Sequence, residues 1–278
     1  MSDFLDPAAL RGLALDHVVV AAASLTEGVA WCERTLGHLP QAGGRHAFMG
    51  THNRILSIAS ARFPRAYLEV IAIDPDGSAP AQPRWFGLDE PALQRALAAG
   101  PRLIHWVARC DEVQAAAAAF AAIGFDPGTV KDAERATPQG LLRWQISVRR
   151  DGRRLADGAV PTLIQWGDVH PAASLPPSGC ELVGFELPEV AGGPLDAWLK
   201  PAAAGADSAR PGREAHERVG PRSAASDRAM AVRMAASRQG SRSVPRESAD
   251  GAAAAPIVAT LITPRGLVRL ESIRLAPA

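Results

Sequence analysis

Apolar and polar residues alternate in blocks along the chain, and the blocks recur. Leu15–Ala22 is a short apolar, β-branched run interrupted by Asp16 and His17, which predicts a strand. Ser24 followed by Glu27 has the form of a capping box. Val29, Trp31, Cys32 and Leu36, closed by Gly37, predict a helix with a glycine C-cap. Gly43-Gly44 reads as a turn, His46–Met49 as a short strand and Gly50-Thr51-His52-Asn53 as a turn or loop. Arg54–Ser60 and Ala66–Ile73 read as two more strands, so the order is β-α-β-β-β.

A connection with Pro75, Pro80 and Pro83 follows, and a helix is expected over Glu90–Ala99 behind Pro91. From Arg102 the order returns. Leu103–Arg109 predicts a strand, Asp111 is an N-cap candidate, and Glu112–Ile123 predicts an alanine-rich helix ending at Gly124. Asp126–Arg135 reads as a loose strand or loop. In Leu141–Arg150, Leu142, Trp144, Ile146 and Val148 alternate with Arg143, Gln145 and Ser147. Asp151-Gly152 turns the chain, and Thr162–Trp166 closes the repeat.

A partial third copy follows: a strand at Glu181–Leu187, the start of a helix at Pro194–Lys200, and a hairpin of Ile257–Thr263 and Leu267–Ser272 around Pro264-Arg265-Gly266. Between them, Pro201–Ala255 holds no Leu, Ile, Phe, Trp or Tyr. Such a segment buries too little apolar surface to offset its ordering entropy and reads as a disordered insert. The expected fold is α+β: a first βαβββ module at 13–75, a connection at 76–101, a second module at 102–168, and a partial third at 180–200 and 256–275 around the insert at 201–255.

Composition narrows the classes. The chain has 278 residues, 47% of them hydrophobic, with a formal charge of +1, so no charge excess favours nucleic acid or membrane. Arginines in the insert are diluted by Asp207, Glu214, Glu217, Asp227, Glu247 and Asp250. Cys32, Cys110 and Cys180 lack a metal or redox spacing, no signal-like N-terminus precedes the first strand, and no apolar run reaches the ~18 residues of a membrane span. A soluble cytoplasmic protein is expected, as monomer or homodimer, acting on a small molecule.

The chemistry is sought in strands that give a core-like position to a polar residue, since an unpaired buried polar group costs roughly 1–3 kcal/mol. His17 and Glu69 do so in the first repeat, His105 and Gln165 in the second. Alternation puts His17 on a face with Leu15 and Val19, and His105 with Leu103 and Val107. If the first and last strands of each repeat are neighbours and the repeats meet around a two-fold axis, all four converge. Two imidazoles, a carboxylate and an amide oxygen suit a divalent metal such as Zn, Ni, Co, Mn or Fe. The plainer readings are hydrogen-bonded core histidines and a Glu69 at a solvated sheet edge.

With Leu15-Asp16-His17-Val18-Val19, Gly50-Thr51-His52-Asn53-Arg54, Tyr67-Leu68-Glu69-Val70-Ile71-Ala72 and Leu103-Ile104-His105-Trp106, the chain resembles the vicinal oxygen chelate superfamily, in its glyoxalase-like branch. The resemblance implies paired βαβββ modules and metal ligands at His17, Glu69, His105 and Gln165. It implies a metal-dependent lyase or isomerase that polarises vicinal oxygens; because Gln165 cannot move a proton, Glu69 or another group must transfer it. Glyoxalase I usually carries Glu where Gln165 stands, and an amide cannot shuttle a proton, so an ordinary glyoxalase I is not expected. Ring-cleaving dioxygenases of the superfamily keep two His and one carboxylate in one module, a poorer match. A non-catalytic binding or resistance protein without metal is the alternative. Arg143 and Gln145, if their strand face lines the cleft, and His52 and Asn53 at its mouth, are the substrate-binding candidates. Trp85-Phe86 is expected to cap the cleft or fill a module interface. His38, His46, His170 and His216 attract no assignment.

Overall fold

The computed structural model describes residues 12–138, 140–187 and 256–273. The insert and the helix expected at Pro194–Lys200 lie outside the described residues. The first half contains β1 (Ala14–Ala21), α1 (Leu25–Leu36), β2 (Gln41–His46), β3 (Thr51–Ser57) and β4 (Tyr67–Ile73). Ser24 Oγ accepts the Glu27 amide at 3.2 Å, and Gly37 ends α1 with φ 76°. After α2 (Pro91–Leu97), the second half repeats the order with β5 (Arg102–Arg109), α3 (Val113–Ala122), β6 (Thr129–Thr137), β7 (Gly140–Val148) and β8 (Thr162–Trp166).

Eight strands form one sheet in the order β2-β3-β4-β1-β5-β8-β7-β6. β1 runs parallel to β4, β5 parallel to β8, and β1 pairs antiparallel with β5, so the halves meet at the centre. This is the paired βαβββ architecture of the vicinal oxygen chelate superfamily. A separate three-stranded sheet of β9 (Glu181–Glu186), β10 (Val258–Thr263) and β11 (Gly266–Glu271) forms from the strands expected for the partial third copy. It packs with α1 and α3 into the core on one face of the large sheet, around Leu36, Leu68, Trp106, Phe120 and Leu261. The other face is concave and carries a second core around Val19, Ile71, Phe86, Val107 and Ile164. The described residues include no helix long and apolar enough to cross a membrane.

Several boundaries differ from the sequence reading. The chain is already extended at Gln41–His46, and Ala47–Met49 is a short 3₁₀ turn. Thr51–Asn53 belong to β3 rather than to a turn, and Thr129–Thr137 is a full strand. Gly43 and Gly44 lie inside β2, where a register shift falls between Ala42 and Arg45. A Cβ on Gly43 would collide with the Asn53 amide and one on Gly44 with the Arg135 guanidinium. The glycines therefore admit side chains from β3 and from the opposite edge strand, β6.

Strict alternation also fails in both central strands. Leu15 and Val18 lie in the helix-side core, whereas Val19 lies in the concave core. Pairing across β1 and β5 passes from Leu15↔Ala108 to His17↔Val107, skipping Asp16, and from Val19↔His105 to Val20↔Leu103, skipping Ile104. A β-bulge thus falls at the equivalent place in each half, re-aiming the residues around it. His17 consequently does not share a face with Leu15.

Candidate functional site

The concave face holds a narrow cleft of about 40 Å³. Its apolar walls come from Ile55, Leu142, Trp144, Ile146, Ile164 and the Trp85-Phe86 turn. Phe86 adopts φ 60° and ψ 17°, a conformation costing a non-glycine residue about 1 kcal/mol or more. Its ring stacks on Trp85 at 5.2 Å and lies 5.0 Å from His105.

The polar end of the cleft is built by three strands of the first half. His17 from β1 stacks on Tyr67 of β4 with ring centroids 4.5 Å apart. Its Nδ1 meets Asp16 Oδ1 at 2.6 Å, and its Nε2 lies 3.6 Å from Glu69 Oε2. Asp16 is fully buried. Its other oxygen accepts from Trp166 Nε1 at 3.0 Å and lies 2.8 Å from His170 Nε2. The Ala172 amide donates to His170 Nδ1 at 3.1 Å, so His170 carries its proton on Nε2 and donates it to Asp16. Behind Glu69, Asn53 Nδ2 donates to Oε1 at 2.6 Å, while Asn53 Oδ1 accepts the Gly44 amide at 2.7 Å. The far sides of both groups are thereby taken, and Nε2 and Oε2 face each other at the cleft.

Electrostatics follows from this packing. Burial alone favours the neutral form of His17, but the Asp16 and Glu69 hydrogen bonds and charges outweigh it and raise its pKa to about 9. Asp16 and Glu69 are both held below the usual carboxylate range, burial being outweighed by His17 and His170 for Asp16 and by His17, His46 and Asn53 for Glu69. His46 also lines the cleft, with Nδ1 3.0 Å from Thr51 Oγ1. Burial lowers its pKa to about 4.

The second half does not complete a four-donor set. His105 is buried but lies in a neighbouring pocket that shares only Trp85 and Phe86 with the cleft. Its Nε2 accepts from the Thr162 amide at 3.2 Å and lies 3.1 Å from Thr162 Oγ1. Its Nδ1 has no hydrogen-bond partner. Burial, with Arg154 and His17 adding, lowers its pKa to about 3.

Strand register identifies the true counterparts. Val19 of β1 pairs with Glu69, and Val107, its equivalent on β5, pairs with Thr162. Thr162 therefore occupies the place of Glu69, and Gln165 stands three residues beyond. An odd shift reverses the side of the sheet. Gln165 Oε1 accordingly accepts the Val113 amide at 2.9 Å and caps α3, whose N-cap position, Glu112, makes no side-chain cap bond. Of the implied metal ligands, only His17 and Glu69 come together, and no cluster of three or more His, Cys, Asp or Glu side chains suited to a metal occurs among the described residues. The donor set does not fit the implied divalent ion.

The other candidates divide. Asn53 is in the cleft, as Glu69's partner. His52 points to the opposite side of β3 and lies 3.7 Å from Asp74. Arg143 and Gln145 also face away from the cleft, which belongs to Trp144's side of β7, and they pair with Glu134 and Asp132 at 3.3 and 2.7 Å. The sequence reading passed over Asp16, His46, Tyr67, His170 and Arg135. Asp16 carried a signal, a carboxylate inside the quoted strand; the others acquire meaning only from pairing and from chain return.

Comparison with known proteins agrees with this architecture. Residues 15–203, well over half of the chain, match the glyoxalase-like domain. The chain belongs to the glyoxalase-like domain family. No curated protein matches the sequence. Among solved structures, the glyoxalase-like chain is similar to methylmalonyl-CoA epimerase from Mycobacterium tuberculosis, at 16% identity and a TM-score of 0.34 over 62% of this chain and 97% of that one. A Streptomyces coelicolor methylmalonyl-CoA epimerase variant in complex with 2-nitronate-propionyl-CoA matches at 18% identity and a TM-score of 0.34, over 58% and 98% of the two chains. A hypothetical protein from Bacillus halodurans matches at 11% identity and a TM-score of 0.32, over 56% and 94%.

Proposed function

We propose that this glyoxalase-like protein is an isomerase or lyase that transfers a proton at a carbon beside a carbonyl group of a small molecule, with Glu69 as base and His17 as its acidic partner. The observation that supports the reading is the His17–Glu69 pair, buried at the polar end of an aromatic-walled cleft and held from behind by Asp16 and Asn53. Glu69 takes the proton from the carbon. The C–H electron pair becomes the enolate double bond, and the charge that develops on oxygen meets the Nε2–H of His17. Return of the proton at either face, or departure of a β-substituent, gives isomerisation or elimination. Asp16 accepts only, so Nδ1 keeps its hydrogen and the ring orientation is fixed. The side chains alone carry this scheme, because the four-donor metal set expected from the family resemblance does not assemble.

A second reading, a small-molecule binding protein without chemistry, is favoured by the closure of His17 and Glu69 on each other. Proton NMR in D₂O separates the two. With 2-oxobutyrate and 4-phenyl-2-oxobutanoate as probes, wild-type protein dialysed against EDTA is expected to accelerate loss of the C3 proton signal. Glu69→Gln is expected to lose roughly 100-fold or more of that acceleration. Exchange that is absent from the dialysed protein and returns with Zn, Ni, Co or Mn would contradict the side-chain scheme. Absence of exchange with and without metal would favour the binding reading.

A further inference from the structure

Arg135 is a charged group in the cleft that the proton-transfer scheme does not use. It stands on β6 directly across from Leu142, on the concave side, and lines the same cleft as His17 and Glu69. Its guanidinium is partly buried, Nε has no hydrogen-bond partner, and it makes no ion pair among the described residues. The carboxylates nearest to it on β6 are already engaged, Glu134 by Arg143 at 3.3 Å and Asp132 by Gln145 at 2.7 Å. Glu69 is engaged by Asn53 and faced by His17. Space for the guanidinium is made on the opposite edge strand by Gly44, where any Cβ would strike it. A planar cation that lines the cleft with Nε unpartnered and no ion pair among the described residues has donors to offer an oxyanion from outside the chain.

We infer that Arg135 anchors a carboxylate of the ligand, so that the substrate class is a small carboxylic acid with an apolar group for the aromatic wall and a carbonyl toward His17. The inference rests on the reading above for the carbonyl, and on Arg135 alone for the carboxylate. The acid group binds the guanidinium fork, the apolar body lies against Trp144 and Ile146, and the reacting carbon is presented to Glu69.

The test is isothermal titration of the full-length protein with 4-phenyl-2-oxobutanoate and with its primary amide. Wild-type protein is expected to bind the acid roughly tenfold or more tightly than the amide. Arg135→Gln is expected to bind the two within about twofold of each other, and Arg135→Lys to recover only part of the preference. Circular dichroism verifies that each variant is folded. Gly44→Ala, which displaces the guanidinium without removing it, is expected to lose the preference as well. Equal binding of acid and amide by wild-type protein, a preference that survives in Arg135→Gln, or binding of neither compound would overturn the anchor. Proton exchange without acid preference would overturn the anchor and leave the proton-transfer scheme standing. Acid preference that depends on Arg135, without exchange, would do the reverse.

Discussion

His17 and His105 stand at equivalent places in the two halves, each beside a β-bulge on a central strand and each buried. Yet their pKa values move in opposite directions, to about 9 and about 3. The neighbours make the difference. The bulge beside His17 carries Asp16, and the one beside His105 carries Ile104. The parallel strand offers His17 a carboxylate, Glu69, and offers His105 a hydroxyl and an amide, both from Thr162. A repeated backbone thus supplies two equivalent sockets, and two residues in each, Asp16 and Glu69 against Ile104 and Thr162, decide whether the imidazole is held as a cation or kept neutral. In the proposed scheme one half carries the chemistry and the other is a buried support.

Breaking the charged half has the largest expected effect. Asp16→Asn leaves His17 with Glu69 as its one remaining counter-charge and weakens the contacts to His170 and Trp166. Removing one partner of a buried ion pair costs about 3–5 kcal/mol, to be read in urea unfolding, and exchange activity should fall with it. The converse change sharpens the comparison. Ile104→Asp introduces a carboxylate beside the unpartnered His105 Nδ1, and the His105 titration midpoint, followed by imidazole NMR, should rise well above 3.

The twin histidines also set opposite arms of the pH–stability profile. His17, raised above its unfolded value of 6.5, contributes stability that is present below pH 6.5 and lost as pH rises through about 9. His105 and His46, lowered to about 3 and about 4, are neutral when the unfolded chain is already protonated, so stability falls as pH drops below 6.5. Thermal unfolding across pH should show both arms. His17→Gln should flatten the alkaline one and His105→Gln the acid one. The smallest effect is expected for Gln165→Ala, which removes the cap of α3 at a cost of about 1 kcal/mol and leaves the cleft chemistry unchanged. Loss of activity there would restore Gln165 to the site.

The repeat, the strand and helix order and the His17–Glu69 meeting were legible because apolar periodicity and the polar interruptions are local properties of the chain. Gln165 was misplaced because the two halves are in different registers. Counting polar interruptions matched it to Glu69, and strand pairing matches Thr162 instead. The bulges were invisible for a related reason: an apolar run does not reveal which residue is skipped in pairing. Arg135 was missed because Lys131, Asp132, Glu134 and Arg135 make β6 read as a polar loop, and only the curl of the sheet brings its guanidinium over Gly44. His170 gained its role from the return of the chain to Asp16, 154 residues away.

Parallel substitution of the two histidines tests the division between the halves most directly, with C3 proton exchange of 2-oxobutyrate followed by NMR in D₂O. His17→Gln is expected to lose roughly 100-fold or more of the wild-type rate, and His105→Gln to stay within about threefold of it. Equal losses in the two variants would contradict a one-sided site and would place His105 in the chemistry.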